Sequence, residues 1–434
     1  MTERKRIVIV DAYSSAKRLP PLFREAGYEC VHVQSTREVP ARFTGSFQPA
    51  QFVDNLLPDG SLAEMQTALK EHAPTYVLAG MESGVELADA LSEALGLPSN
   101  GTALSTARRD KYLMIETIKA SGLAGTEQIR TADLDELVSW YAALGRRAVV
   151  KPPSSAGSDG VAFCDSVADV VRAFHAIVGR ENALTGHNDA VVAQEYLDGA
   201  EYYVNTVSRD GRHQVCDIWR TTHVTAHGVL DLLDSTHLMP RRGPAQDELV
   251  DYTLRVLDVL GIRHGPVHAE VKLTPDGPRL IELGARLCGA DLPHFAGSVL
   301  GGGQLDATVR AVTDPAGFAA GADAEYRLPG AAAAVALLAP ASGRLLRYRG
   351  LETLEALESV REVRIVVRPG DAISRTVDDF GYPVAAFLRH EVPEVVWRDY
   401  LSIRQFDGPA RYEIDEAARP GGGDPGQPHP GGGS

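Results

Sequence analysis

The segment "HAEVKLTPDGPRLIELGARLCG", residues 268–289, constrains this chain more than any other. Ala269, Val271 and Leu273 alternate with His268, Glu270 and Lys272. After the turn, Ile281, Leu283, Ala285 and Leu287 alternate with Leu280, Glu282, Gly284 and Arg286. A period of two means strands with one face buried, and "TPDGP" between them is turn chemistry. A turn centred on Asp276 sets Glu270 directly opposite Glu282. Cross-strand neighbours on one face have Cβ atoms roughly 5 Å apart. Two carboxylates that close repel, so a cation is expected between them, or one of them is protonated. A hard divalent cation such as Mg²⁺ suits the pair, since it keeps phosphate and water as its remaining ligands. A surface hairpin with solvated glutamates is the bland counterpart. Arg286 continuing the same polar stripe speaks against it.

The rest of the chain supplies layers for that hairpin. "RIVIVDAY", a helix near "PPLFREAG", "ECVHVQS", "PTYVLAG" and the amphipathic "VELADALSEALG" alternate strand with helix, which predicts a parallel α/β layer. "STARRDKYLMIETIKASG" predicts a helix stopped at Gly122. Helix "DLDELVSWYAAL", strand "AVVKP", a Gly/Ser loop, strand "VAFCD" and helix "SVADVVRAFHAIV" follow. The stretch 221–244 reads as irregular, 246–260 as a helix, and "PHFAGSVLGGGQLDATVRAV" as a final helix interrupted by glycines. Short strands such as "AAAAVALLAP" and "GYPVAAFLRH" then predict a small α+β domain, ended by a Gly/Pro-rich tail. The expected fold class is therefore α/β and α+β. Its boundaries are an N-terminal α/β domain over 1–104, a central domain over 105–325, a C-terminal α+β domain over 326–416 and a disordered tail over 417–434.

A chain of 434 residues is too long for one small core. Its net charge of −15 argues against nucleic acid or an anionic membrane as the main partner, while leaving room for a local cationic pocket. Cys30, Cys164, Cys216 and Cys288 form no C-x-x-C pair, so neither a disulfide framework nor a zinc site is expected. The apolar run at the N-terminus is too brief for a signal peptide, and a reducing cytoplasm is the expectation.

Two further stretches carry chemistry. In "VVKPPSSAGSDGVAF", residues 149–163, Lys151 ends a buried strand and a loop with Ser154, Ser155, Gly157, Ser158 and Gly160 follows. Small residues let backbone N–H groups approach a phosphate and the lysine adds a cation. No Walker pattern occurs, because the lysine precedes the glycines. In "VVAQEYLDGAEYYV", residues 191–204, a strand bends at Gly199 with Gln194, Glu195 and Glu201 near it. By itself it is an ordinary strand–turn–strand.

In this order, with Asp110–Lys111 ahead of them, these pieces resemble the ATP-grasp superfamily over most of residues 1–410. "VHAEVKL" and "ELGARLCG" look most like the L-amino acid ligases that form dipeptides. The resemblance implies an ATP-grasp fold with ATP and Mg²⁺ as cofactors. It makes Lys111 and Lys151 the phosphate lysines and the 154–160 loop a flap over them. Gln194, Glu195 and Leu197 become the hinge that reads adenine, Glu201 the acid on the ribose hydroxyls, and Glu270 and Glu282 the magnesium ligands. Arg286 becomes the catalytic contact to the transferred phosphoryl group and its acceptor, with Lys151 beside it. Many members carry Asn two residues after the second glutamate. Here that position is Gly284, facing His268, and its missing side chain leaves room for the imidazole. His268, Arg286, Gly289, Ala290 and Asp291 are the expected substrate residues, Asp291 as partner for a cationic group.

The implied reaction joins a carboxylic acid to an amine through an acyl phosphate, yielding ADP and phosphate. Dimers are common in the superfamily, and small molecules are the expected partners. The alternatives are a carboxylase-like enzyme that phosphorylates bicarbonate and a nucleotide-binding protein without catalysis.

Overall fold

The computed structural model describes residues 4–153, 160–182, 186–378 and 381–417. The chain divides into two compact units, one built from residues up to Thr222 together with Thr236–Ala331, the other from His223–Ser235 with the chain from Ala332 onward.

The first unit opens with a parallel sheet in the order Asp54–Leu56, Tyr28–Val33, Lys5–Val10, Pro74–Ala79. Alternation along the central strand sends Val8 and Val10 toward Val31, Leu69 and Leu91. Ile7 and Ile9 go to the other face, with Phe23, Leu78 and Leu305. Each such burial is worth about 1.5–3 kcal/mol. The short strand Asp54–Leu56 and the helix Leu62–Glu71 are additions to the sequence reading. Ser61 closes a capping box with Glu64 at that helix's start, a signature legible in "SLAE".

A second, antiparallel sheet runs Gln128–Thr131, Val191–Glu195, Ala148–Lys151, Ala162–Cys164. Helices Leu134–Leu144 and Val167–Ile177 cover it through Leu137, Val170 and Phe174. The third sheet begins Gly277–Gly284, Gly265–Thr274, Ala200–Arg209 and continues to Arg212–Ala226. Helix Pro244–Val259 packs on it, and Tyr252 Oη both accepts from Leu280 N and donates to Ala124 O. The glycine-interrupted helix is two helices, Leu292–Leu300 and Gln304–Thr313.

The stretch 221–244 is not irregular. Strands Arg212–Ala226 and Val229–Leu238 occupy most of it. They are joined through His227 and Gly228, both left-handed at φ +54° and +79°. Two consecutive positive-φ residues are the signature of a two-residue hairpin turn. A histidine in the first position hides that signal.

In the second unit, strands Ala331–Leu337, Val384–His390 and Val360–Ile365 lie in sheet order, the last two antiparallel. A three-stranded sheet runs Ala372–Ile373, Gly343–Tyr348, Tyr412–Asp415. Tyr400 and Arg404 of the helix Pro393–Phe406 both bond the buried Asp234 carboxylate.

Candidate active site

The 268–289 hairpin pairs Glu270 with Glu282 and His268 with Gly284, as its sequence predicts. The route to that register differs. The turn is Pro275–Asp276, so Val271 pairs with Leu280 and a bulge at Ile281 restores the phase before Glu282. A bulge puts two residues opposite one. Leu280, expected on the polar face, is therefore fully buried, while Ile281 is half-buried.

The expected cation between the carboxylates is in part supplied by the protein. Lys111 Nζ lies 2.7 Å from Glu282 Oε1. Lys111 is the first residue of the helix Lys111–Ala120, whose N-cap Asp110 accepts from the backbone of Tyr112 and Leu113. Its own N–H donates to Pro153 O at 3.0 Å, which ties the helix start to the strand end carrying Lys151. Lys111 and Lys151 are each 4% exposed, so neither is a solvated surface lysine. Burial, with help from Lys111, lowers Lys151 to about 8 against the pull of Glu282, Glu270 and Glu201. Burial pushes the Glu270 carboxyl up, but His268, Arg286 and Lys111 hold it below its ordinary value.

His268 is locked from both sides. Nδ1–H donates to Asn205 Oδ1 at 2.8 Å and Nε2–H to Glu270 Oε1 at 3.1 Å. Asn205 in turn donates to Asp217 Oδ1 at 2.5 Å, as does the Trp219 indole at 2.7 Å. Both ring nitrogens thus face acceptors. Burial opposes a proton on the ring, yet Cys288 and Glu270 raise it to about 10. Asp217 is wholly buried with Oδ2 unbonded among the described residues, and burial raises its carboxyl to about 6.

The atoms nearest to a Cβ at Gly284 belong to Glu82 and Arg286 rather than to His268. A Cβ there would lie 2.6 Å from Glu82 Oε2 and 3.1 Å from Arg286 Cζ. Arg286 Nε donates to Glu82 Oε2 at 3.0 Å, and Arg109 Nη1 to Glu82 Oε1 at 2.9 Å. Sequence reasoning missed Glu82 and Arg109. The available signal was position, since Glu82 follows the C-terminal end of the parallel strand Pro74–Ala79, where open α/β sheets bind ligands.

The adenine and ribose candidates lie along one strand and its bend. Gln194 is buried and donates to Gln128 Oε1. The Glu195 carboxylate accepts from Glu127 N and pairs with Arg146, while the Glu195 and Tyr196 N–H groups donate to Glu127 O and Arg147 O. Leu197 is half-buried. A side chain at Gly199 would collide with the Leu273 carbonyl, so only glycine allows the bend to close on the hairpin. Glu201 pairs across the sheet with Lys272, whose Nζ is 3.8 Å from Glu201 Oε2 and sits over the Tyr196 ring. Ser154, Ser155, Gly157 and Ser158 lie outside the described residues. Gly160 resumes the chain at φ +72°.

Past Arg286, Ala290 and Asp291 are both left-handed, at φ +54° and +59°. Asp291 is not open to a cationic substrate group. Arg18 takes both its oxygens, at 2.9 and 3.0 Å, and Lys17 stands 3.5 Å away. A Cβ at Gly289 would meet nothing within 4 Å.

Residues 145–293 match the family model of the ATP-grasp domain. Over 413 residues the chain is 33% identical to dapdiamide A synthase of Enterobacter agglomerans, spanning 94% of this chain and 97% of that one. Among solved structures, the L-amino acid ligase of Bacillus licheniformis superposes with a TM-score of 0.73 at 19% identity, covering 95% of this chain and 99% of the other. The biotin carboxylase domain dimer of Hydrogenobacter thermophilus 2-oxoglutarate carboxylase, complexed with MgADP, ADP and bicarbonate, gives 0.64 at 15% identity, covering 95% and 91%. At these structural identities the likeness is one of fold.

Proposed function

This chain belongs to the ATP-grasp superfamily as an ATP-dependent carboxylate–amine ligase, and from that premise we propose how its residues divide the work. Lys111 and Lys151 hold the nucleotide phosphates. Gln194, Glu195 and Leu197 receive the adenine and Glu201 the ribose. Glu270 and Glu282 hold magnesium. The observation that carries this reading is the convergence of two buried lysines on two facing carboxylates.

The donors fit that metal. Among the described residues, no three acidic, His or Cys side chains converge to hold an ion by themselves. Glu270 and Glu282 would hold such an ion by their carboxylates, with phosphate and water left to complete its shell, as suits magnesium. Once bound it neutralises phosphate charge.

A carboxylate is a poor acyl donor because oxide is a poor leaving group. Its oxygen therefore first takes the terminal phosphoryl group of ATP, which leaves ADP and an acyl phosphate. The amine then attacks the acyl carbon and expels phosphate. The first step needs alignment and charge neutralisation more than covalent help from the protein. Arg286 supplies both at the transferred group, and His268 orients the Glu270 carboxylate through Nε2. The acid lies against Gly289 and Ala290. With Asp291 held by Arg18, that wall offers no unpaired carboxylate to a cationic substrate.

We extend the same reading to a reducing cytoplasm, supported by four buried free cysteines, and to a homodimer. No helix among the described residues is long and apolar enough to cross a membrane. The deciding experiment is phosphate release over a matrix of acids and amines, with mass spectrometry of the products. An amide product with stoichiometric ADP is expected. ADP formation with bicarbonate alone would move the chain to the carboxylase-like branch.

A further inference from the structure

We propose that Glu82 is the positioning residue that orients Arg286 for phosphoryl transfer, and that Gly284 is glycine to let it do so; this rests on the ligase reading above. Glu82 is 2% exposed and stands 204 positions before Arg286. A carboxylate that deep is sustained only by close cationic partners. It has two, Arg286 on Oε2 and Arg109 on Oε1. With Lys111 and Lys151 counted against Glu270 and Glu282 as well, four cations face three carboxylates, which leaves one positive charge over. That surplus suits an anion arriving at this spot.

The hydrogen bonds also fix the orientation of Arg286. Its Nε goes to Glu82 and its Nη1 to the Leu287 carbonyl at 2.9 Å. Among the described residues no acceptor meets Nη2. A guanidinium is a planar fork, so two anchors set its plane. The unanchored N–H groups are then held toward an incoming phosphoryl or carboxylate oxygen. Without Glu82 the side chain keeps only the carbonyl contact and regains rotamers.

Gly284 supplies independent support. Its absent Cβ is the space in which Glu82 and Arg286 meet, since that atom would sit 2.6 Å from the carboxylate and 3.1 Å from the guanidinium carbon. Gly284 has no left-handed φ to explain its residue type. The close approach explains it.

The test uses the full chain with an acid–amine pair found in the matrix screen. Turnover, ATP affinity and melting temperature are measured for wild type, Glu82→Gln, Arg286→Ala, the double variant and Gly284→Ala. Glu82→Gln is expected to lower kcat about 100-fold, the usual cost of a misplaced catalytic group, with ATP affinity kept within about twofold. In the Arg286→Ala background the same change should cost nothing further. Gly284→Ala keeps both charges and pushes the pair apart, so it should lower kcat while sparing ATP affinity. An equal loss from Glu82→Gln in both backgrounds would make Glu82 a structural staple and overturn the inference. So would wild-type kcat in Gly284→Ala. Should Glu82→Gln fail to fold, Gly284→Ala in the two Arg286 backgrounds decides by the same criterion. A wild type that makes no amide with any pair would overturn the ligase reading instead.

Discussion

Replacing Lys151 with methionine tests the proposed hold on ATP against the cost of burying the ammonium in the empty protein. Burial and the neighbouring Lys111 take its ammonium from the ordinary 10.5 down to about 8. That depression corresponds to about 3 kcal/mol of disfavoured charge. The sign follows from linkage. Between about 8 and 10.5 the folded state has shed a proton that the unfolded chain still holds, so stability rises with pH across that window. Below about 8 the penalty is fully present. Lys151→Met removes it, so at pH 7 the empty variant should match or exceed wild type, by up to about 3 kcal/mol. Its urea midpoint should lose the rise between pH 8 and 10. ATP should report the opposite loss. One charge-assisted hydrogen bond is worth about 1.5–3 kcal/mol, so the variant should bind ATP roughly 10- to 100-fold more weakly at pH 7. Wild-type affinity should fall above pH 8 as the ammonium deprotonates, and the variant's should stay flat. Calorimetry in buffers of different ionisation enthalpy should find proton uptake on ATP binding near pH 8.5 in wild type only. A variant that is less stable at pH 7, with wild-type ATP affinity, would refute both halves of the reasoning.

Arg286→Lys should keep ATP affinity and lose turnover by about 10- to 100-fold, because an ammonium cannot replace the guanidinium fork; weakened ATP binding with intact turnover would reverse the assignment. Gly289→Leu should depress activity with bulky acids well beyond that with glycine or alanine, since each excluded methylene is worth about 0.8 kcal/mol. Steady-state kinetics across acid size checks it, and uniform losses would place the pocket elsewhere. Gly289 is a better probe than Ala290, whose left-handed backbone would be strained further by a bulky side chain. Asp217→Asn should stabilise the protein at pH 8 by about 3 kcal/mol. The wild-type carboxyl, raised from 3.8 to about 6, contributes stability below pH 3.8 that is lost as pH climbs through 6. Thermal melts from pH 4 to 8 should therefore diverge upward for the variant, and convergence would disprove the assigned burial cost.

What could be read from the chain was local or periodic. Ile7, Val8, Ile9 and Val10 announce a strand buried on both faces, and the Glu270–Glu282 facing follows from alternation across a short turn. The order of Lys111, Lys151, Glu201 and the glutamates places them in one family's frame. Contacts between distant segments left no such trace. Glu82 and Arg109 are ordinary charged residues in helical or loop contexts, and only the fold brings them to Arg286. Asp291 looked open because its partner is remote in sequence; Arg18 arrives from 273 residues away. The 221–244 hairpin was hidden by one residue type, His227 in a conformation glycine or asparagine usually advertises.

The bulge at Ile281 has an evolutionary consequence. It lies between the exposed Pro275–Asp276 turn and Glu282, so it isolates the glutamate facing from the length of the turn. Deleting Ile281 alone would remove the bulge and still leave Val271 against Leu280 and Glu270 against Glu282. Deleting a residue beyond it, between Glu282 and Arg286, would instead turn Arg286 to the opposite face. Descendants of this hairpin can therefore drop the extra residue and keep the glutamates facing, while the spacing from Glu282 to Arg286 is held to its present parity.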